Sequence, residues 1–366
     1  MIINRYLIKE ILQGFFAVMS ILLLVFVGRH FARYLADAAE GRFSGELVFT
    51  LLIPYLLKSA ILLLPFCLFI AVLLSFGRLY RDNEMTIMAA CGVGIGQVVR
   101  TVLLFSVLFG LVVAAFSLYI SPWAVEWGIQ IREQSDSKSE LTGLLAGRFR
   151  HFGSDKRVYY VERLSEDKTS MSNVFIHNKL QGNFDIFSAR EGYQHIDEST
   201  GDRFLVLKNG YRYEGIPGKD GFKLSRYEKS AVRIEQSAVR PRSRHQDAKP
   251  TSVLIGSSNA FERAELQWRL SMPVSAVLLA ILAVFLGKTN PRQGKYSKIV
   301  VGVLVYVAYN NLMGVSQSWI QRNEALAPLG MWWVHGLMIL FIFGFYINQY
   351  GFKSLFIKVP AGHGQI

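Results

Sequence analysis

Glu84 lies in the stretch Arg78-Leu79-Tyr80-Arg81-Asp82-Asn83-Glu84-Met85-Thr86-Ile87-Met88-Ala89-Ala90-Cys91-Gly92, whose residue types suit docking better than catalysis. Asp82 or Asn83 suits an N-cap, Glu84 favours a first helical turn, and Gly92 suits a C-terminal end. Met85, Met88 and Ala89 recur at helical spacing as an apolar stripe. The pattern predicts a short capped helix over 81–92. Its plain role is packing against its own surroundings. Its functional role is a lever pressed into a partner, with Glu84 and Arg81 as polar contacts and Met85 and Met88 as adaptable apolar ones.

Three further cations draw notice for where they lie. Arg29 and Arg33 end a long apolar run four residues apart, so a helix would project both from one face. They suit interfacial anchoring, and equally the binding of an anionic headgroup. Lys58 sits between Pro54 and Pro65 inside a second apolar run. A charge there costs about 2.5–3.5 kcal/mol on insertion scales, which marks it either as a functional residue or as one that snorkels to water.

The elements that must position these residues are read from the apolar runs: 11–28, 51–77, 98–120, 270–287, 299–320 and 331–350. Each approaches the roughly 20 residues that a helix needs to cross a bilayer. The expected fold is therefore an α-helical membrane protein with six transmembrane helices. An extramembrane all-β domain is inserted between helices 3 and 4. The expected boundaries are 1–122 for the first three helices, 123–269 for the β domain with its linkers, and 270–366 for the last three helices and tail. The first run is longer than a signal-sequence core and is followed by Arg29, His30 and Arg33, so an uncleaved helix is expected.

The 366 residues carry a net charge of +13, with 51% hydrophobic residues and a mean hydropathy of +0.28. The charge does not describe a nucleic-acid-binding face. Residues 123–269 hold 24 Lys/Arg against 20 Asp/Glu, and the excess sits in short loops. Ten basic residues fall at the N-terminus, 78–97, 288–298 and the C-terminus, against four in 29–50 and 321–330. By the positive-inside rule both termini face the cytoplasm and the large domain lies outside. The two cysteines, Cys67 and Cys91, fall outside that domain, which must fold without disulfides.

From Arg157 onward short alternating runs predict strands at 158–161, 173–177, 184–187, 204–207, 211–214 and 227–234. Lys208-Asn209-Gly210 reads as a hairpin turn. An antiparallel sandwich or open barrel of six to eight strands follows. His151, His177 and His195 show no metal-ligand spacing and read as ordinary strand or loop residues. Tyr306, Asn310, Met313 and Gln317 share a helix face suited to packing on another helix. The chain contains no GxxxxGK[ST] motif, so energy from ATP would have to come from another chain.

Arg5-Tyr6-Leu7 with Glu10, the stretch Leu79–Thr86, and Cys91-Gly92 resemble the lipopolysaccharide export permeases, the LptF/LptG family. Ala264-Glu265-Leu266-Gln267-Trp268-Arg269-Leu270 and Asn290-Pro291-Arg292-Gln293-Gly294-Lys295 resemble its F-type subunits more than the G-type. The resemblance runs from Met1 to about Tyr350. It implies a subunit of an ABC-type exporter in the inner membrane of Gram-negative bacteria, with a β-jellyroll periplasmic domain and no catalysis or cofactor of its own. The implied partners are a paralogous G-type permease, a cytoplasmic ATPase dimer that binds ATP and Mg, a single-helix C subunit with its own jellyroll, and lipopolysaccharide. By that resemblance Glu84 anchors a coupling helix in the ATPase and Arg33 faces lipid phosphates; Lys58 has no assigned role. Two other classes remain open. An ion-driven secondary transporter would show inverted repeats and midplane ionisable groups, and a scaffold that transmits motion would carry no lipid between its helices.

Overall fold

The computed structural model describes residues 2–39, 45, 47–139, 146–152, 157–165, 170–180, 183–196, 203–215, 221–234, 246–288, 297–324 and 327–351. The stretch Asn290–Lys295, the basic tract Arg240–His245, Arg42 and the C-terminal lysines lie outside the described residues.

The chain forms two compact units, one of 1–30, 52–128 and 244–366, the other of 31–51 and 129–243. Helix α1 is Ile2–Ala39 and α2 is Leu47–Arg81, with Pro54 and Pro65 inside it. The short α3, Glu84–Ala90, precedes α4, Ile95–Ala115. A π-helical turn over Phe116–Ile120 joins α4 to α5, Ser121–Ser139. After the strands come a 3-10 turn, Gln246–Ala248, the single-turn α6, Thr251–Leu254, and α7, Ala260–Leu286. Helix α8, Ser297–Gln321, and α9, Trp332–Tyr350, complete the chain.

Among the described residues five helical segments are long and apolar enough to cross a membrane: Ile2–Ala39, Leu47–Arg81, Ile95–Glu133, Ala260–Leu286 and Lys298–Gln321. The sixth expected run is also helical, as α9, but does not meet that measure. Its 19 residues open on Trp332, Trp333 and His335 and close on Asn348, Gln349 and Tyr350, which dilute its apolar centre. In the first unit α7 is the hub, packing against α4, α8 and α9. Helix α4 comes close at Gly110, where an added Cβ would stand 3.4 Å from the Pro273 carbonyl oxygen. The expected face of α8 does pack on a neighbour: Tyr306 lies 4.4 Å from the Phe66 ring of α2, and Met313 is fully buried.

The second unit contains one antiparallel sheet of six strands in sequence order: β1 Arg148–Phe152, β2 Arg157–Leu164, β3 Ser170–Leu180, β4 Asn183–Ile196, β5 Arg203–Gly215 and β6 Lys223–Ile234. All-β was legible here. The turn expected at Lys208-Asn209-Gly210 is not a turn, because 204–207 and 211–214 are halves of one strand, β5. Pairing with β4 and β6 on both sides holds the backbone extended through it.

The turn-like residues have a different cause. The paired register passes over Glu162 and Asn173, Asn173 and Arg190, Arg190 and Asn209, then Asn209 and Glu228. A seam of unpaired positions thus crosses five strands. Asn173 and Asn209 take left-handed φ values of 52° and 54°, which Asn tolerates better than most residues. At the seam each strand shows two consecutive exposed polar residues: Glu162-Arg163, Ser172-Asn173, Arg190-Glu191, Lys208-Asn209 and Glu228-Lys229. A regular pleat alternates faces every residue. The seam shifts that phase by one on every strand, so the buried row continues on the same face.

That face is apolar. Tyr159, Val161, Met171, Val174, Ile176, Phe187, Ala189, Leu205 and Leu207 form one buried cluster, joined by Leu164, Tyr227 and Val232. Gly210 belongs to it by close approach, since an added Cβ would collide with the Ser188 carbonyl oxygen and the Tyr227 ring, whose Cζ would stand 2.6 Å away. At one end of the face Arg212 reaches Asp185 through two bonds of 2.9 and 3.1 Å, lies 2.6 Å from Glu214, and sits over the Phe187 ring. The bond to Asp185 is the main influence holding its guanidinium above the usual arginine range.

Candidate functional site

Helix α3 spans Glu84–Ala90, shorter at both ends than the expected 81–92, with Gly92 just beyond it at φ 88°. Its N-cap is Asn83, one of the two expected residues, at a left-handed φ of 59° and without the side-chain bond. The methionines show the first of the two expected roles, packing within the chain. Met85 is buried in the chain's own core and Met88 packs against it, while Thr86 and Ile87 are exposed. The stripe follows the amphipathic rule in its plain form, burying its apolar side on α3's own neighbours. Arg81 pairs with its neighbour Asp82 at 3.1 Å, both half exposed.

Glu84 is engaged within the chain. The Tyr6 hydroxyl, on the second turn of α1, donates to Glu84 Oε2 at 2.6 Å. Arg78 Nη2, near the end of α2, donates to the Tyr6 oxygen at 3.1 Å and lies 3.0 Å from Glu10 Oε2 and 3.8 Å from Glu84 Oε1. Tyr6 and Glu10, one helical turn apart, thus meet Arg78 and Glu84, which lie about 70 residues further on. These contacts were not read from the sequence. Their signal was available in the i, i+4 spacing of Tyr6 and Glu10 and in the polar character of both at the start of an otherwise apolar helix.

At the other ends of α1 and α2, Arg29 and Arg33 are both exposed. His30 is buried, its ring 3.7 Å from that of Tyr55. Lys58 is not alone: its Nζ lies 2.6 Å from Asp247 Oδ2. A lysine in an apolar run acquires a counterion from the turn that follows the β-domain in sequence.

That turn is fastened by a residue whose role the sequence did not show. Arg269 of α7 is 1% exposed, and all five of its N–H donors have acceptors. Nε reaches Glu265 at 2.8 Å. Nη1 reaches the Lys249 carbonyl and the Thr251 hydroxyl at 3.0 and 2.9 Å, and Nη2 reaches the carbonyls of Gln246 and Asp247 at 3.3 and 3.1 Å. Thr251 donates onward to the Leu118 carbonyl in the π-helical turn, and Ser117 donates to the Arg269 carbonyl. Thr251 thus supplies a donor to the π turn, and Ser117 supplies to the Arg269 carbonyl the donor that Pro273, four residues on in α7, lacks. Glu265, one turn before an arginine at the edge of an apolar run, was the available signal.

These observations define the class: a multi-pass membrane protein in which a separate antiparallel β unit is inserted among apolar helices. The chain belongs to the lipopolysaccharide export system permease family LptF/LptG, whose model matches residues 5–348. The lipopolysaccharide export system permease protein LptF of Escherichia coli K12 is 27% identical over 339 residues, covering 92% of each chain. LptF of Shigella flexneri is similar to the same degree over the same shares.

Proposed function

We propose that this chain is an F-type permease subunit of an ABC-type exporter. It would extract lipopolysaccharide from the outer leaflet of the inner membrane and pass it toward a bridge of β-jellyroll domains, driven by ATP hydrolysis in a separate ATPase. In this reading six helices span the membrane, both termini are cytoplasmic and the β unit is periplasmic. The partners are a G-type permease, the ATPase dimer and a single-helix C subunit.

The observation that carries this reading is the sheet with one apolar face, held in a chain of the export-permease family. Burying one methylene is worth about 0.8 kcal/mol, so exposing a many-chained lipid to water would cost tens of kcal/mol. A lipid leaving the bilayer needs apolar cover, and the face from Tyr159 to Leu207, buried in this structure, would supply it where the cluster parts to admit acyl chains. Strands β1 and β6 each pair on one side only among the described residues, so the sheet has edges on which a partner strand could continue the ladder. Arg29 and Arg33 supply exposed cations for lipid phosphates. Lys58, already paired with Asp247, contributes less to that contact than sequence position suggests. On the cytoplasmic side α3 presents Glu84, Thr86 and Ile87 to the ATPase, with Arg81 beside them.

The test is purification from native membranes followed by identification of copurifying protein and lipid. An ATPase and lipopolysaccharide should come with the chain, and the chain alone should hydrolyse no ATP. Glu84→Ala should reduce ATPase recovery several-fold. Intrinsic hydrolysis, or recovery free of lipopolysaccharide, would refute the assignment.

A further inference from the structure

The Glu84 carboxylate is committed on two sides, and this bears on how α3 moves the rest of the chain. One oxygen accepts from the Tyr6 hydroxyl at 2.6 Å, and the other lies 3.8 Å from Arg78, which also reaches Tyr6 and Glu10. Three segments therefore share one charge-assisted network: the start of α1, the end of α2 and the first turn of α3.

We infer that Tyr6 and Arg78 are positioning residues that hold the Glu84 carboxylate and carry displacement of α3 directly into the first turns of α1. The inference rests on the reading of α3 as the ATPase-docking helix and names the residues through which that helix acts.

The physical case is one of stiffness. Helix α3 has only seven residues, and its N-terminal junction has no side-chain cap. A short helix on an uncapped left-handed residue can pivot unless something else holds its first turn. Met85 fixes its depth by burial, but an apolar contact is non-directional. The Tyr6 bond is directional, short and charge-assisted. Arg78 then ties the same oxygen to Glu10 one turn along α1, so a push on Glu84 reaches two successive turns of that helix. Tyr6 is about one-third exposed, which leaves the network at the surface where a docked partner could load it.

The experiment uses the whole complex, purified from native membranes and reconstituted with lipopolysaccharide. It compares Tyr6→Phe, Glu84→Gln and the double variant for two quantities: ATPase copurification, and lipopolysaccharide released per ATP hydrolysed. Tyr6→Phe should leave copurification within about twofold while the release ratio falls about fivefold or more. The double variant should be no worse in release ratio than Tyr6→Phe alone, because Tyr6→Phe removes the bond whose charge assistance Glu84→Gln takes away. A wild-type ratio in Tyr6→Phe, or losses that add in full, overturns the inference.

A second variant leaves Tyr6 and Glu84 in place. Arg78→Leu removes the donor that joins the Tyr6 oxygen to Glu10, and should lower the release ratio several-fold with copurification within about twofold. A wild-type ratio in Arg78→Leu also overturns the inference. Failure of the underlying reading is distinct: there, Glu84→Ala leaves ATPase copurification unchanged.

Discussion

Lys58 and Asp247 form an ion pair of 2.6 Å between the second apolar helix and the turn after the β unit in sequence. The side chains are 49% and 31% exposed, so solvent screens the pair and it contributes at most about 1 kcal/mol. Lys58→Ala, Asp247→Ala and the double variant should show a coupling energy below that in thermal unfolding of the detergent-solubilised protein. Lipopolysaccharide crosslinking near the outer surface should respond to reversal of Arg33 and much less to Lys58→Ala. An equal loss at both positions would restore Lys58 as a headgroup contact.

Arg269 should be far less tolerant. Lysine retains the charge but has three donors on a point head, and cannot serve acceptors spread over Glu265, Gln246, Asp247, Lys249 and Thr251. Each buried acceptor left without a donor costs about 1–3 kcal/mol. Arg269→Lys should therefore lower the unfolding midpoint measurably, and Arg269→Met should lower it further. A Lys variant as stable as the parent would show that the five contacts do not hold the turn.

Gly210 lies opposite Ala189 on β4 and Tyr227 on β6. Gly210→Ala places a methyl group where the Tyr227 ring and the Ser188 carbonyl already are, and overpacking of this kind costs about 1–3 kcal/mol. Limited proteolysis of the membrane-inserted protein should cut the β unit faster in this variant. Adding Tyr227→Phe, which removes the colliding hydroxyl, should recover part of the loss.

Burial pushes the Tyr227 phenol up to about 12 from an ordinary value near 10. The fold therefore favours the neutral ring. Its contribution is fully present below pH 10 and is lost as pH rises through 12. Tyr227→Phe also loses the bond from the hydroxyl to the Ser188 carbonyl, so its proteolytic resistance should differ from the parent's by a constant margin up to about pH 10 and change relative to it only in that alkaline window. A margin that changes near neutrality would contradict the burial argument.

Long periodic features were legible in the sequence and local exceptions were not. Runs of apolar residues near 20 predicted helices that the structure contains, because span length is set by the bilayer rather than by neighbours. The β character of 157–234 was equally plain from alternation. Lys208-Asn209-Gly210 misled because Asn and Gly signal a turn and a seam with the same chemistry, tolerance of left-handed φ and of close approach. Only the flanking strands decide between the two. Met85 and Met88 left two roles open, packing at home and docking on another chain, since an apolar stripe does not say whose core it joins. The partners of Glu84, Lys58 and Arg269 were hidden for a third reason. Apart from Glu265 and Arg78, they lie about 20 to 190 residues away in sequence, and nothing local marks which distant polar groups will meet.

In the proposed function lipid travels along the apolar face of the sheet. A photo-crosslinking amino acid placed at Val232, partly exposed and packed on the Tyr159–Leu207 cluster, reports on that face, and one at exposed Glu191 reports on the opposite face. In the intact complex with ATP, lipopolysaccharide adducts should form at 232 and depend on ATP, while 191 stays clear. Adducts at 191 equal to those at 232, or none at 232 with ATP present, would contradict the account.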